Sequence, residues 1–130
     1  MYTQLKFYKC ELCGKVIEML TDPTVATICC AKEMYRLIPN KNDGAVEKHV
    51  PVVTLDGNKV HVEIGSVLHP MMDEHSIEWI ILQTDKVVYR RNLKPQGKPI
   101  ADFLLVADEK PISVYAYCNL HGLWETELLN

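Results

Sequence analysis

Beyond residue 50 the chain alternates apolar and polar positions in short runs divided by turn signals. "VPVVTLDGNKVHVEIG" carries two β-branched runs around Asp56-Gly57, a strong hairpin signal. "IEWIILQT" and "KVVYRRN" repeat the pattern around Thr84-Asp85. "ADFLLVA", "ISVYAYCN" and "LWETELL" follow, separated by "DEKP" and "LHG". About seven short strands, turn signals every ~8–12 residues and no long helical period predict an antiparallel β-sandwich of immunoglobulin-like shape. The stretch before residue 38 lacks this rhythm.

The same boundary divides the chemistry. Residues 1–37 hold four of the five cysteines and no histidine, whereas residues 38–130 hold all five histidines and one cysteine. Two domains are therefore expected, 1–37 and 38–130. They join near "IPNKNDGAVEKH", where Pro39, Asn40, Asn42, Asp43 and Gly44 make a loop signal. A segment shorter than about 40 residues buries too little apolar surface to fold unaided, so the first domain needs a staple, and its cysteines can supply one.

Composition narrows the classes. A net charge of -3 without any long basic run argues against a nucleic-acid partner. No apolar run approaches the roughly 18 residues that would suggest a membrane span. The start, "MYTQLKFYKCELC", has neither an apolar signal core nor a small-residue cleavage site, and a cytoplasmic location is expected. In a reducing compartment clustered cysteines are more often metal ligands than disulfides, and an odd count of five also argues against complete pairing.

The four early cysteines read Cys10-Glu11-Leu12-Cys13, then Cys29-Cys30. A Cys-x-x-Cys knuckle presents two thiolates to one ion, and Gly14 eases the turn that follows. The adjacent pair can reach the same ion only where the backbone bends sharply. Four thiolates suit tetrahedral zinc or iron, and spacing does not choose between them. A redox disulfide at the knuckle and a vicinal disulfide at Cys29-Cys30 are the other readings.

In the second domain the candidate ligands are His49 in "EKHVP", His69 and His75 in "HPMMDEH", and Cys118 and His121 in "CNLH". All flank strands, where a rigid sheet can aim side chains from its edges. His61 differs: it sits inside an alternating strand and is expected to face solvent. Structural zinc takes four ligands, so four imidazoles and a thiolate fit it poorly. Iron accepts six, which leaves one position for a small molecule, and a thiolate opposite that position would push electron density toward whatever binds. A closed electron-transfer protein and a zinc-stapled binding module remain as alternatives.

The combination "CELC…CC", "EKHVP", "HPMMDEHSIEWI" and "CNLHGLW" closely resembles desulfoferrodoxin, the two-iron form of superoxide reductase, over the whole chain. The resemblance implies a desulforedoxin-like N-terminal domain that binds iron through Cys10, Cys13, Cys29 and Cys30. It implies a catalytic iron in the sandwich domain, with His49, His69, His75 and His121 equatorial and Cys118 axial. The implied activity is one-electron reduction of superoxide to hydrogen peroxide without dismutation, in oxidative-stress detoxification. Rubredoxin or a similar carrier is the implied electron donor, and a homodimer the implied assembly. Two further roles follow. Lys48 would attract the anion and assist its protonation, and Glu47 would occupy the open iron position after product leaves.

Overall fold

The computed structural model describes residues 3–43 and 48–128. The chain forms two compact units, residues 1–38 and 39–130. Among the described residues there is no helix.

The first unit is built from very short strands. β1 (Phe7–Lys9) lies between β2 (Val16–Glu18) and β5 (Tyr35–Arg36), both antiparallel to it. β3 (Ile28–Cys29) and β4 (Lys32–Glu33) form a separate two-stranded hairpin. Its two loop residues, Cys30 and Ala31, both have positive φ, 54° and 58°. Positive φ at both central positions marks a primed hairpin turn, and here neither residue is glycine. Phe7, Cys10, Met34 and Leu37 are the buried apolar side chains, a core too small to hold the unit alone.

The second unit contains seven strands in two antiparallel sheets. β6 (Pro51–Asp56), β7 (Lys59–Ile64) and β10 (Ile100–Leu104) form a three-stranded sheet in the order β10-β7-β6. β8 (Ile77–Thr84), β9 (Val88–Asn92), β11 (Pro111–Cys118) and β12 (Gly122–Glu127) form a four-stranded sheet in the order β12-β11-β8-β9. The mainly β architecture expected from the alternating pattern is present, with seven strands in this unit. The first hairpin loop is Gly57-Asn58, one residue later than the sequence signal, with Gly57 at φ 59°.

The core follows from period two. Val60, Val62 and Ile64 of β7 are fully buried, as are Ala101 and Phe103 of β10, while His61 and Glu63 point the other way. On β11 the inward series is Val114, Ala116 and Cys118, all in the same apolar cluster. Cys118 is thus the last inward residue of a central strand. A β-bulge accompanies it: Tyr117 pairs with Trp79 but Cys118 pairs with Ile77, so Glu78 is an extra residue on β8.

Candidate metal centres

In the first unit the Sγ atoms of Cys10, Cys13, Cys29 and Cys30 all lie within 4.8 Å of one another. Cys13 Sγ is 3.7 Å from Cys29 Sγ, and Cys29 Sγ is 3.9 Å from Cys30 Sγ. A tetrahedral ion with bonds to sulfur of about 2.3 Å has sulfur–sulfur edges of about 3.8 Å, so the side chains already hold ligand spacing. The knuckle is closed by Gly14 N–H donating to Cys10 O at 2.9 Å, with Gly14 at φ 81°, and Cys13 N–H points at Cys10 Sγ at 3.5 Å. The adjacent cysteines converge because the β3–β4 turn reverses the chain at Cys30.

These thiols respond to one another. The N–H of Cys13 pulls the Cys10 thiol down to about 7, whereas the thiols of Cys13, Cys29 and Cys10 push Cys30 up to about 12. Cys29 is raised for the same reason, chiefly by Cys13. A thiolate at Cys10 therefore holds Cys29 and Cys30 toward their protonated forms, and a cation would take the place of those protons on binding.

In the second unit His49, His69, His75, Cys118 and His121 bring one donor atom each to within 4.8 Å of every other. The ring centroids draw a square. Its sides are His49–His69 at 4.5 Å, His69–His75 at 4.6 Å, His75–His121 at 5.1 Å and His121–His49 at 4.9 Å; the diagonal His49–His75 is 6.5 Å. Adjacent rings are inclined at 60° to 83°. Cys118 Sγ lies 3.6 Å from His69 Nε2 and 3.8 Å from His121 Nδ1, nearly equidistant from two opposite corners of the square. Three imidazoles and the sulfur are buried, and His121 is exposed.

Each corner is set by local structure. His69 follows β7 in a loop closed by its N–H donating to Ile64 O at 3.0 Å. Its Nδ1 donates to Pro70 O at 2.7 Å, which fixes the tautomer and leaves the Nε2 lone pair for a metal. His75 exchanges two backbone hydrogen bonds with Met72 before entering β8. His121 lies in the three-residue turn between Cys118 and Gly122, which are paired; Gly122 has φ 84°, the left-handed position such a turn requires. His49 stacks on Trp124 with centroids 4.5 Å apart and planes 12° apart.

Sequence reasoning did not find Asn119 and Trp124. Asn119 Oδ1 accepts Ser76 N–H at 3.0 Å, its Nδ2 donates to Glu74 O at 3.0 Å, and its backbone N–H donates to Ser76 O at 3.2 Å. These bonds tie the Cys118–His121 turn to the His75 loop. Trp124 Nε1–H donates to His121 O at 3.2 Å while its ring supports His49. The only sequence signal for either was proximity to "CNLH". His61 stays apart from the site, as expected, but is not simply solvated: Nδ1 meets Asp102 at 2.5 Å and Nε2 meets Glu63 at 2.9 Å, with 31% of the side chain exposed. Lys48 is half-buried immediately before His49, and Glu47 lies outside the described residues.

Comparison with known proteins agrees with this geometry. Residues 41–127 match the family Desulfoferrodoxin, and residues 3–37 match Desulfoferrodoxin, N-terminal domain. The chain belongs to the desulfoferrodoxin family. A desulfoferrodoxin of Syntrophotalea carbinolica is 45% identical over 127 residues, covering 98% of this chain and 99% of that one. The crystal structure of the superoxide reductase from Treponema pallidum aligns with a TM-score of 0.82 at 31% identity, covering 95% of this chain and 98% of that one. A one-iron superoxide reductase from Giardia intestinalis covers only 63% of this chain but 99% of its own length, with a TM-score of 0.54 and 36% identity. Both donor sets fit iron: four thiolates at tetrahedral spacing, and four imidazoles with one thiolate, which exceed what structural zinc takes.

Proposed function

We propose that this desulfoferrodoxin is a superoxide reductase that reduces superoxide by one electron to hydrogen peroxide without dismutation. Cys10, Cys13, Cys29 and Cys30 hold one iron in the N-terminal domain, residues 1–37. His49, His69, His75, His121 and Cys118 hold the other in the catalytic domain, residues 38–130. The observation that carries the reading is the square of four imidazoles with one cysteine sulfur nearly equidistant from two opposite corners. Four imidazoles and one thiolate would hold an iron with one ligand fewer than the six it accepts, and so would leave room for a small anion.

When bound, iron supplies the electron and the position at which the anion docks. The chain supplies the rest. Cys118, fully buried among Val114 and Ala116, would give the iron a thiolate donor in a water-poor setting, where the charge is little screened. His69 is held in the one tautomer that offers Nε2. Lys48 supplies a local cation on a chain whose net charge is -3, drawing in a substrate of the same sign as the protein. Its ammonium also stands as a hydrogen-bond donor through which protons reach the reduced anion: one electron and two protons convert superoxide to hydrogen peroxide. Glu47, the residue before Lys48, would supply a carboxylate to the iron once product has left, as the family resemblance implies. A rubredoxin-type electron donor, a homodimer and a cytoplasmic setting complete the proposal, supported by the family resemblance.

The test is iron analysis of freshly purified protein combined with product stoichiometry. Two irons per chain and one peroxide per superoxide consumed, with no oxygen released, are expected. One peroxide per two superoxides, with oxygen evolved, would show dismutation instead, and a colourless zinc protein would remove the reading altogether.

A further inference from the structure

The backbone around Lys48 is gripped from two sides by residues that no metal-binding motif contains. On one side, a single carboxylate oxygen of Asp43 accepts two consecutive backbone N–H groups, His49 at 2.5 Å and Val50 at 2.9 Å. On the other side lies Gly65, the residue just after β7. A Cβ on Gly65 would stand 2.5 Å from Lys48 O and 2.4 Å from Val67 O. Both are backbone atoms, so no side-chain rotation can relieve the overlap. Gly65 also has φ 89°, a conformation other residues adopt only with strain, and its N–H donates to Val50 O at 3.3 Å.

The contacts fall on consecutive residues: Lys48 through its carbonyl, His49 through its N–H, Val50 through both groups. Pro51 follows and biases Val50 toward extended backbone, and Pro51 O accepts the hydroxyl of Thr126 on β12 at 2.6 Å. A lysine side chain is a flexible stem, so the reach of its ammonium depends on where its Cα stands and which way the Cα–Cβ bond points. The peptide joining Lys48 to His49 sets where that Cα stands and limits the directions its Cα–Cβ bond can take. We propose that Asp43 and Gly65 are positioning residues for Lys48, fixing the Lys48–Val50 backbone so that the ammonium serves the anion position of the four-histidine group. The inference rests on the role given to Lys48 above. It assigns to Asp43 and Gly65 an effect on substrate encounter that is distinct from support of the His49 ring, which the stack on Trp124 provides.

The test uses the full-length, iron-loaded protein and the variants Asp43→Ala, Asp43→Asn, Gly65→Ala and Lys48→Ile, with the double variant Asp43→Ala/Lys48→Ile. Pulse radiolysis gives the second-order rate with superoxide across a salt series. Hydrogen exchange over residues 43–50 reads the backbone grip, and the visible ferric thiolate band reads the metal group. Asp43→Ala should speed exchange in that segment and slow the reaction by about threefold to tenfold, within the roughly tenfold effect expected for losing Lys48 itself. The double variant should be no slower than Lys48→Ile alone, because Asp43 acts through Lys48. Asp43→Asn keeps the acceptor oxygen and should restore most of the rate. Gly65→Ala should slow the reaction in the same way; should it not fold, the Asp43 series still decides. If Asp43→Ala slows the Lys48→Ile background as much as the parent, or shifts the thiolate band, the residue acts through the metal group and the inference fails. If Asp43→Ala reacts as fast as the parent while Lys48→Ile is slow, the inference fails alone. If Lys48→Ile is itself as fast as the parent, the role of Lys48 falls and this proposal with it.

Discussion

Replacing Asn119 by alanine asks whether the turn carrying Cys118 and His121 is set by the loop carrying His75. The substitution removes two hydrogen bonds, Ser76 N–H to Oδ1 and Nδ2–H to Glu74 O, both 3.0 Å. It leaves the backbone bond from Asn119 N–H to Ser76 O. The lost bond to Glu74 is worth about 1 kcal/mol net, and losing the bond to Ser76, whose buried N–H is then stranded, costs about 1–2 kcal/mol. The expected cost is about 2–3 kcal/mol. For a unit the size of residues 39–130 that lowers the melting temperature by about 10–20 °C. Because Asn119 orients two ligands rather than binding metal, iron at the four-histidine group should also become about 10–100-fold easier to remove. The assay is a thermal melt of iron-loaded protein followed by circular dichroism and by the ferric thiolate band, with iron loss to a chelator timed separately. Asn119→Asp retains the acceptor for Ser76 and should recover about half of the stability. A variant Asn119→Ala that melts within about 2 °C of the parent and releases iron no faster would refute the idea that this side chain couples the two loops.

Three further outcomes are expected. Cys13→Ser should abolish the four-thiolate spectrum and leave superoxide reduction largely intact, because the two ligand sets share no residue; loss of the ferrous catalytic site in that variant would contradict their independence. Lys48→Ile should slow the reaction with superoxide roughly tenfold or more and flatten its salt dependence, whereas Lys110→Ile, in an exposed turn on no ligand segment, should change neither; pulse radiolysis over a range of ionic strength measures both. His61→Asn should lower the melting temperature only in a pH window. Asp102, then Glu63, raise the His61 pKa, so its contribution is fully present below the unfolded value of 6.5 and fades as pH rises through the folded value. Asp102 is lowered chiefly by His61, so its share is present above 3.8 and fades as pH falls through the folded value. Parent and variant should therefore differ most between about pH 4 and 6.5 and converge in alkali, and a constant gap at all pH values would show that the triad contributes packing alone.

The strands of the second unit were legible because each is long enough to show period two. Val60, Val62 and Ile64 alternate with His61 and Glu63, and only one face of that sheet enters the core. The first unit was not legible in this way, since strands of two or three residues have no period to read. The bend at Cys29-Cys30 was required by ligand geometry, yet the hairpin that produces it was hidden, because Cys30 and Ala31 adopt positive φ without the glycine or asparagine that usually announces such a turn. The ligand set of the second unit was readable as chemistry, while its square arrangement joins loops up to 72 residues apart. Asn119, Asp43 and Gly65 look like ordinary loop residues in sequence; what distinguishes them is the backbone each one meets.

The division of labour between strand and loop gives the thiolate site its character. Cys118 owes its place to the register of β11 against β8 and β12, and a one-residue slip would turn its sulfur to the opposite face of the sheet. The bulge at Glu78 matters here, because it lets β8 begin at Ile77 opposite Cys118 while the rest of the ladder stays in step. The imidazoles come instead from loops and turns, where a small shift costs little, and each has its own tether: Pro70 O for His69, the Met72 exchange for His75, the Trp124 stack for His49, and the Asn119 and Trp124 bonds for the His121 turn. The sulfur is therefore anchored to the global fold and the imidazoles to local contacts. Substitutions at the tethers should loosen individual ligands while the sandwich remains folded, whereas disturbing Val114 or Ala116 strikes the sulfur and the core together.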